Sequence, residues 1–155
     1  MIINNYNNTM NKLLLISLVV FTQINLSSAD FVVKMLNQSS TGVMVFEPAV
    51  LEIEVGDTVT FQSTDAAHNS ASIPGMIPAG ATAWNGQLSR DTKVTFDIPG
   101  IYGYQCTPHA MMAMVGVIKV GGDSSNKESV QAAAEQYKST FVMNQTRLDD
   151  YLSKI

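Results

Sequence analysis

The stretch Cys106-Thr107-Pro108-His109-Ala110-Met111-Met112-Ala113-Met114 contains the only cysteine of the chain and one of its two histidines. A thiolate, an imidazole and a thioether in one short segment form a soft, sulfur-rich donor set that suits a copper ion. Such a site needs a second imidazole, and the other histidine, His68, lies well upstream. One loop cannot surround an ion while its backbone hydrogen bonds stay satisfied, so we expect ligands from two places in a β-rich fold.

The first 29 residues are expected to be an export signal. Lys12 precedes an apolar run from Leu13 to Phe21, and small residues follow it up to Ala29. This order is typical of a secretory signal peptide cleaved after Ala29, and the run is too short to span a membrane. Met10 is an alternative start that would leave an ordinary signal. We therefore expect a periplasmic protein whose mature part does not insert into the membrane.

The mature chain is acidic and cannot form an internal disulfide. All 13 acidic residues lie after the signal, whereas Lys12 is the one basic residue, of nine, that is removed with it. The resulting negative charge argues against nucleic acid as a partner. In an exported protein a single cysteine is a reactive thiol, an intermolecular link or a metal ligand, which directs attention to Cys106.

Alternating apolar and polar residues predict strands with one buried face. The pattern covers residues 30–36, 51–55, 58–62, 93–98 and 102–106, in an order punctuated by glycine and proline. The turn at Gly56-Asp57 predicts that 51–55 and 58–62 pair as antiparallel neighbours. Residues 30–122 are therefore expected to form an all-β Greek-key sandwich or barrel.

Tyr102 follows the Pro99-Gly100 turn by two residues and shares a strand face with Tyr104 and Cys106. This placement fits a tyrosine corner, in which the phenol hydrogen-bonds to the backbone at a strand crossover. An ordinary core aromatic fits the sequence equally well.

Residues 123–155 have a different composition, rich in Ala, Gln, Glu and Lys, and predict two short helices. Ser125 followed by Glu128 resembles a capping box at the start of the first helix. Leu148 and Leu152 recur at helical spacing in the second. We expect this extension to pack on the barrel without a part in the chemistry.

Parity in the final strand favours one of three methionines as the fourth ligand. If Lys119 faces solvent, then Ile118, Gly116 and Met114 face inward together, so Met114 is the predicted axial ligand. Met112 has the same parity but lies inside the loop, and Met111 is expected on the surface. Zinc would accept two histidines and a cysteine, but a thioether is a poor zinc ligand and catalytic zinc needs an open position.

The chain resembles the pseudoazurins, type I copper proteins of the cupredoxin family, from about Phe31 to its C-terminus. The two terminal helices favour them over the plastocyanins, which share the loop spacing. The resemblance rests on the segments Met44-Val45-Phe46-Glu47-Pro48, Gly56-Asp57-Thr58-Val59-Thr60-Phe61, His68-Asn69, Gly75-Met76-Ile77-Pro78, Tyr102-Gly103 and Cys106-Thr107-Pro108-His109.

The resemblance implies a ligand set and a supporting shell around it. The implied ligands of one copper ion, cycling between Cu(II) and Cu(I), are His68, Cys106, His109 and Met114. The implied supporting residues are Asn69, which would tie the His68 segment to the cysteine loop, together with Thr107, Pro108 and Met44. A surface patch for docking of a redox partner would surround His109 and include Met111, Met112 and Ile73.

Four protein ligands leave no position for substrate, which favours electron transfer over catalysis. By resemblance the partners would be periplasmic redox proteins, either a nitrite reductase-like copper enzyme or a c-type cytochrome, and the carrier would be a monomer. Ala66 and Gln105 stand where lysines that steer acidic partners are typical of the family, so steering by positive charge is not expected here.

Two other functions fit parts of the sequence. A periplasmic copper-trafficking or sequestering protein would use Met111, Met112 and Met114 as Cu(I) ligands, but it needs no fixed cysteine–histidine pair. A thiol enzyme would use Cys106 with His109 as base, but no acidic or amide partner that would orient the base is evident.

Overall fold

The computed structural model describes residues 27–155 and consists of two four-stranded sheets followed by two helices. The all-β sandwich with two short C-terminal helices is confirmed, whereas the predicted signal peptide lies largely in residues 1–26, outside the described residues. No helix within 27–155 is long and apolar enough to cross a membrane. The strands are β1 Asp30–Ser39, β2 Gly42–Glu47, β3 Val50–Ile53, β4 Thr58–Gln62, β5 Ala71–Ser72, β6 Thr92–Thr95, β7 Gly100–Gln105 and β8 Val115–Val120, and the helices are α1 Lys127–Lys138 and α2 Arg147–Leu152.

The predicted pairing of β3 with β4 is wrong, because the two strands belong to different sheets. One sheet has the order β2-β1-β4-β6 and the other the order β3-β8-β7-β5. The buried Asp57 shapes the turn between them, since its carboxylate accepts the N–H of Glu54 at 2.8 Å. The turn carries the chain from one sheet to the other.

Aromatic side chains fill the space between the sheets. Phe46, Phe61 and Tyr104 meet edge to face or tilted at centroid distances between 4.8 and 6.3 Å. The Tyr102 hydroxyl donates a hydrogen bond to the Ile98 carbonyl at 2.7 Å, which is the tyrosine-corner arrangement. Cys106 and Met114 lie in the same core, so the proposed ligands are part of the packed interior.

A second apolar core lies between the sheet that contains β8 and the two helices. Val115 and Val117, on the face of β8 opposite Met114, are buried there with Val130 and Leu148. The inward parity of Met114 and Ile118 is as predicted, but the other face of β8 is covered by helices and not by solvent. Both faces of this strand are apolar for that reason.

The predicted capping box at Ser125 and Glu128 is wrong. Helix α1 begins after Asn126, and Ser125 instead donates its N–H and hydroxyl to Asp123. The Asn126 side chain accepts the Ile101 N–H and donates to the Ile101 carbonyl, both at 2.9 Å. The Asn126 side chain thus ties the helix start to strand β7 and makes no capping bond to the helix itself.

Candidate metal centre

The structure brings the cysteine and both histidines of the chain together at one end of the sandwich. The Cys106 Sγ lies 3.6 Å from His68 Nδ1 and 3.4 Å from His109 Nδ1, and the two nitrogens are 3.1 Å apart. A point roughly 2 Å from all three atoms lies inside this triangle, which matches metal–nitrogen and metal–sulfur bond lengths in proteins. Among residues 27–155 these three form the only histidine, cysteine and carboxylate cluster of metal-binding size.

His68 is fully buried and held by a residue from a distant strand. Its Nε2 lies 3.0 Å from Asn37 Oδ1, and because an amide oxygen can only accept, Nε2 carries the proton and Nδ1 presents a lone pair to the cluster. Burial, with a smaller effect of His109, lowers the pKa of His68 below 6.5, while Asp65 raises it. The imidazole is therefore neutral near pH 7, as a metal ligand must be. Asn37, 31 residues upstream, has no sequence signal that would have identified it.

Cys106 is buried at the end of β7, where burial raises the pKa of its thiol and the backbone N–H groups of Asn69 and His109 lower it. The Cys106 N–H donates to the Met114 carbonyl at 2.9 Å, which closes the loop between β7 and β8. A metal that bound the thiolate would overcome the cost of burial, since coordination deprotonates a thiol.

His109 is positioned by a 3-10 helix over Thr107–Met112, with Pro108 in its first turn. Pro108 is exposed, His109 is half-buried, and Met111 is 57% exposed. Met112 is half-buried. The site therefore reaches the surface beside His109.

One residue of the predicted docking patch lies elsewhere than expected. Ile73 is 1% exposed and packs in the core beneath the helices, so its assignment to a surface patch is wrong. Ile73 follows the short strand β5 and packs against the helices. The sequence pattern predicted these helices but not which residues they cover. Met44 is half-buried against the core that includes Cys106 and Met114, and its role as a supporting residue stays a prediction.

Met114 is fully buried directly before β8, in the same core cluster as Cys106. Its N–H donates to the His109 carbonyl at 3.3 Å, and its carbonyl accepts from Cys106. The backbone of Met114 is thus bonded to both residues of the loop that carry candidate ligand atoms.

Asn69 joins the two segments of the site. Its Oδ1 accepts the Thr107 N–H at 2.8 Å, and its Nδ2 lies 3.2 Å from the Thr107 hydroxyl and 3.0 Å from the Gly86 carbonyl. These bonds place the residue after His68 against the residue after Cys106.

Gln105 stands at one of the two positions where a steering lysine is typical of the family that the chain resembles. Helix α1 holds its side chain. The Tyr137 hydroxyl donates to its side-chain oxygen, and burial raises the pKa of Tyr137 to about 12. Gln105 is half-buried, whereas Ala66 is exposed. Neither position supplies a positive charge near the site.

Comparison with known proteins identifies the class. The family model of copper-binding proteins of the plastocyanin/azurin family matches residues 33–121. The pseudoazurin of Methylorubrum extorquens AM1 is 34% identical over 140 residues, which cover 90% of this chain and 91% of that protein. The pseudoazurin of Paracoccus pantotrophus is 38% identical over 106 residues, 68% of this chain and 73% of that protein.

Solved structures agree. The pseudoazurin from Methylobacterium extorquens AM1 superposes with a TM-score of 0.70 at 38% identity, over 81% of this chain and 98% of that one. The pseudoazurin from Hyphomicrobium denitrificans superposes with a TM-score of 0.72 at 31% identity, over the same shares.

The chain therefore belongs to the cupredoxins, the plastocyanin/azurin family of copper-binding proteins, and among them to the pseudoazurins. It is a copper electron carrier and not an enzyme.

Proposed function

We propose that His68, Cys106, His109 and Met114 hold one copper ion in this electron carrier. The observation that carries the proposal is the triangle of two Nδ1 atoms and one Sγ, with His68 Nε2 engaged by Asn37 so that its Nδ1 lone pair faces the other two atoms. Met114 is the proposed weak axial ligand because it is buried in the same cluster and bonded to the loop at both ends of its backbone. Bound copper would supply a one-electron couple between Cu(II) and Cu(I).

The burial pattern supports electron transfer through one face. Cys106, His68 and Met114 are buried, so the half-buried His109 offers the shortest path to the surface. We propose that a partner docks around His109 on the exposed Pro108 and Met111, with Met112 at the edge, over a small and transient interface. Asn69, Thr107 and Pro108 would keep the loop rigid, which reduces reorganisation when the ion changes charge.

We propose periplasmic redox partners, either a c-type cytochrome or a nitrite reductase-like copper enzyme. The chain has 13 acidic against nine basic residues, and Ala66 and Gln105 provide no positive charge beside the site. A partner with a basic docking face is therefore favoured, and electron exchange with it should slow as salt is added.

The periplasmic location rests on the predicted signal peptide, and a mature N-terminus at Asp30 in a periplasmic extract would support it.

The ligand proposal is tested by adding one equivalent of Cu(II) to the mature protein, then ascorbate, then an oxidant. We expect an intense thiolate-to-copper absorption band that bleaches on reduction and returns on oxidation. Cys106→Ser should abolish the band because serine provides no thiolate. A wild-type protein that stays colourless and binds only Cu(I) would contradict the proposal and favour copper trafficking.

The axial assignment is tested by Met114→Gln, with Met112→Gln as the matched control. We expect Met114→Gln to keep one copper per chain but to shift the band positions and the reduction potential, because an amide oxygen replaces a weak thioether. Met112→Gln should leave both unchanged. An equal shift in the Met112 variant would contradict the choice of Met114.

A further inference from the structure

Arg147, the first residue of α2, reaches across from the helical extension to the loop that carries the proposed ligands. Its Nη1 donates to the carbonyls of Ala113 and Met44, each at 3.0 Å, and its Nη1 and Nη2 lie 3.4 and 3.3 Å from the Val43 carbonyl. One guanidinium thus joins α2, β2 and the end of the ligand loop. No other side chain of α2 bonds to either segment among the hydrogen bonds of residues 27–155.

Two of the carbonyls that Arg147 binds belong to residues in the left-handed conformation. Met44 has φ 48° and Ala113 has φ 56°. Non-glycine residues adopt this conformation at a cost in energy, and they keep it only where neighbouring groups hold them. Gly42 leaves room for the guanidinium, since a Cβ there would lie 3.1 Å from Arg147 Nη2.

The bond to Ala113 acts on the peptide unit that leads into Met114. The carbonyl of that unit accepts from Arg147 at 3.0 Å, and its N–H, which belongs to Met114, donates to the His109 carbonyl at 3.3 Å. The peptide plane is therefore held from both sides. Because the plane sets the direction in which the Met114 side chain leaves the backbone, it also sets how close the thioether comes to the site.

We propose that Arg147 is a positioning residue for the copper centre: through the Ala113 carbonyl it fixes the approach of the Met114 thioether. The inference rests on the ligand set proposed above. It gives the helical extension a part in tuning the site, in contrast to the sequence-based expectation that the extension is only structural. The positive charge of Arg147 could also change the reduction potential directly, so the variants must separate the effect of charge from that of position.

The test compares Arg147→Met, which keeps an unbranched apolar stem but removes the donors, with Arg147→Lys, which keeps the charge but cannot reproduce the planar fork. The matched control is Lys138→Met, which removes the contacts of Lys138 with Glu135 and Asp149, the latter on α2, and touches no loop carbonyl. Each variant is loaded with Cu(II), and its visible and electron paramagnetic resonance spectra, reduction potential and copper loss to a chelator are measured.

We expect both Arg147 variants to keep one copper per chain but to change the relative intensity of the two thiolate-to-copper bands and the rhombicity of the resonance signal. Copper loss from Arg147→Met should be about tenfold faster, the change that corresponds to one lost charged hydrogen bond. Lys138→Met should show wild-type spectra even where its thermal stability falls.

Two outcomes would overturn the inference. Wild-type spectra and a wild-type reduction potential in both Arg147 variants would show that the residue is only structural. A shifted potential in Arg147→Met alone, with wild-type spectra throughout, would show that it acts by charge and not by position. If Arg147→Met does not fold, Arg147→Lys alone is the test: changed spectra support the inference and wild-type spectra overturn it. Failure of the ligand proposal is recognised separately, because wild-type protein would then lack the thiolate band.

Discussion

At the scale of single residues, Asn69 and Asn37 do more for the centre than their position in the sequence suggests. Asn37 fixes which nitrogen of His68 carries the proton, and Asn69 fixes the distance between the His68 and Cys106 segments. Both are amides because an amide can donate and accept without charge. A charged side chain at the buried position of Asn69 would add to the electrostatic cost of the site.

We predict that Asn69→Ala lowers the free energy of unfolding of the metal-free protein by about 1–3 kcal/mol. The substitution removes the partner of the Thr107 N–H and the bond to the Gly86 carbonyl. Urea unfolding at neutral pH measures the change. Asn85→Ala is the control, because the exposed Asn85 contributes only one acceptor, at 3.3 Å, to the same amide. Equal losses in the two variants would contradict the central role of Asn69.

At the scale of elements, β7 determines where the centre lies. Its inward face carries Tyr102, Tyr104 and then Cys106, so the strand that anchors the core also ends at the proposed thiolate ligand. The Tyr102 hydroxyl fixes the start of the strand through Ile98. The opposite face of β7 contacts α1 through Asn126 and Gln105, so both ends of the strand are tied to the helix.

We predict that Tyr102→Phe costs about 1 kcal/mol of stability through loss of one hydrogen bond. The copper spectrum should not change, because the hydroxyl lies at the end of the strand away from Cys106. Urea unfolding and the visible spectrum are the two measurements. Tyr151→Phe is the control, since its hydroxyl has no hydrogen bond among those formed within residues 27–155, and it should be nearly neutral. A spectral shift in Tyr102→Phe would contradict this separation of roles.

At the scale of the whole molecule, four tyrosines of the described residues pack into the two cores, Tyr102 and Tyr104 buried and Tyr137 and Tyr151 half-buried. Burial raises the pKa of Tyr102, Tyr104, Tyr137 and Tyr151 above its usual value of 10, in the case of Tyr137 to about 12. The unfolded chain ionises these phenols at lower pH than the folded protein does. Folding is therefore unaffected by them below pH 10 and is progressively opposed above it.

We predict that the metal-free protein loses stability as pH rises from 10 to 12, with each buried tyrosine contributing up to about 1.4 kcal/mol per pH unit. Denaturant unfolding at several pH values gives the slope, and tyrosine absorbance gives the ionisation. Tyr137→Phe should reduce the slope in this range by up to one tyrosine's contribution. A stability that is constant from pH 10 to 12 would contradict the prediction.

Features that depend on local chemistry could be predicted from the sequence by itself. The period-two alternation identified the strands, and the spacing of Cys106, His109 and Met114 indicated the kind of site, because strand faces and ligand types are properties of neighbouring residues. The position of Tyr102 two residues after the Pro99-Gly100 turn is also a local feature, and it predicted either a tyrosine corner or an ordinary core aromatic. The turn residues that punctuate the chain are likewise local.

Only the tertiary structure decided which elements meet. It decided that β4 joins the sheet of β1 and that Ile73 is buried beneath the helices. The hydrogen bonds of Asn37, Asn126 and Arg147 likewise join residues that are 25 or more positions apart. Such contacts leave no periodic trace in the sequence, because they depend on how whole sheets and helices stack. The sequence determined that the chain is a β-sandwich with a copper-type ligand loop, and stacking determined how that loop is held.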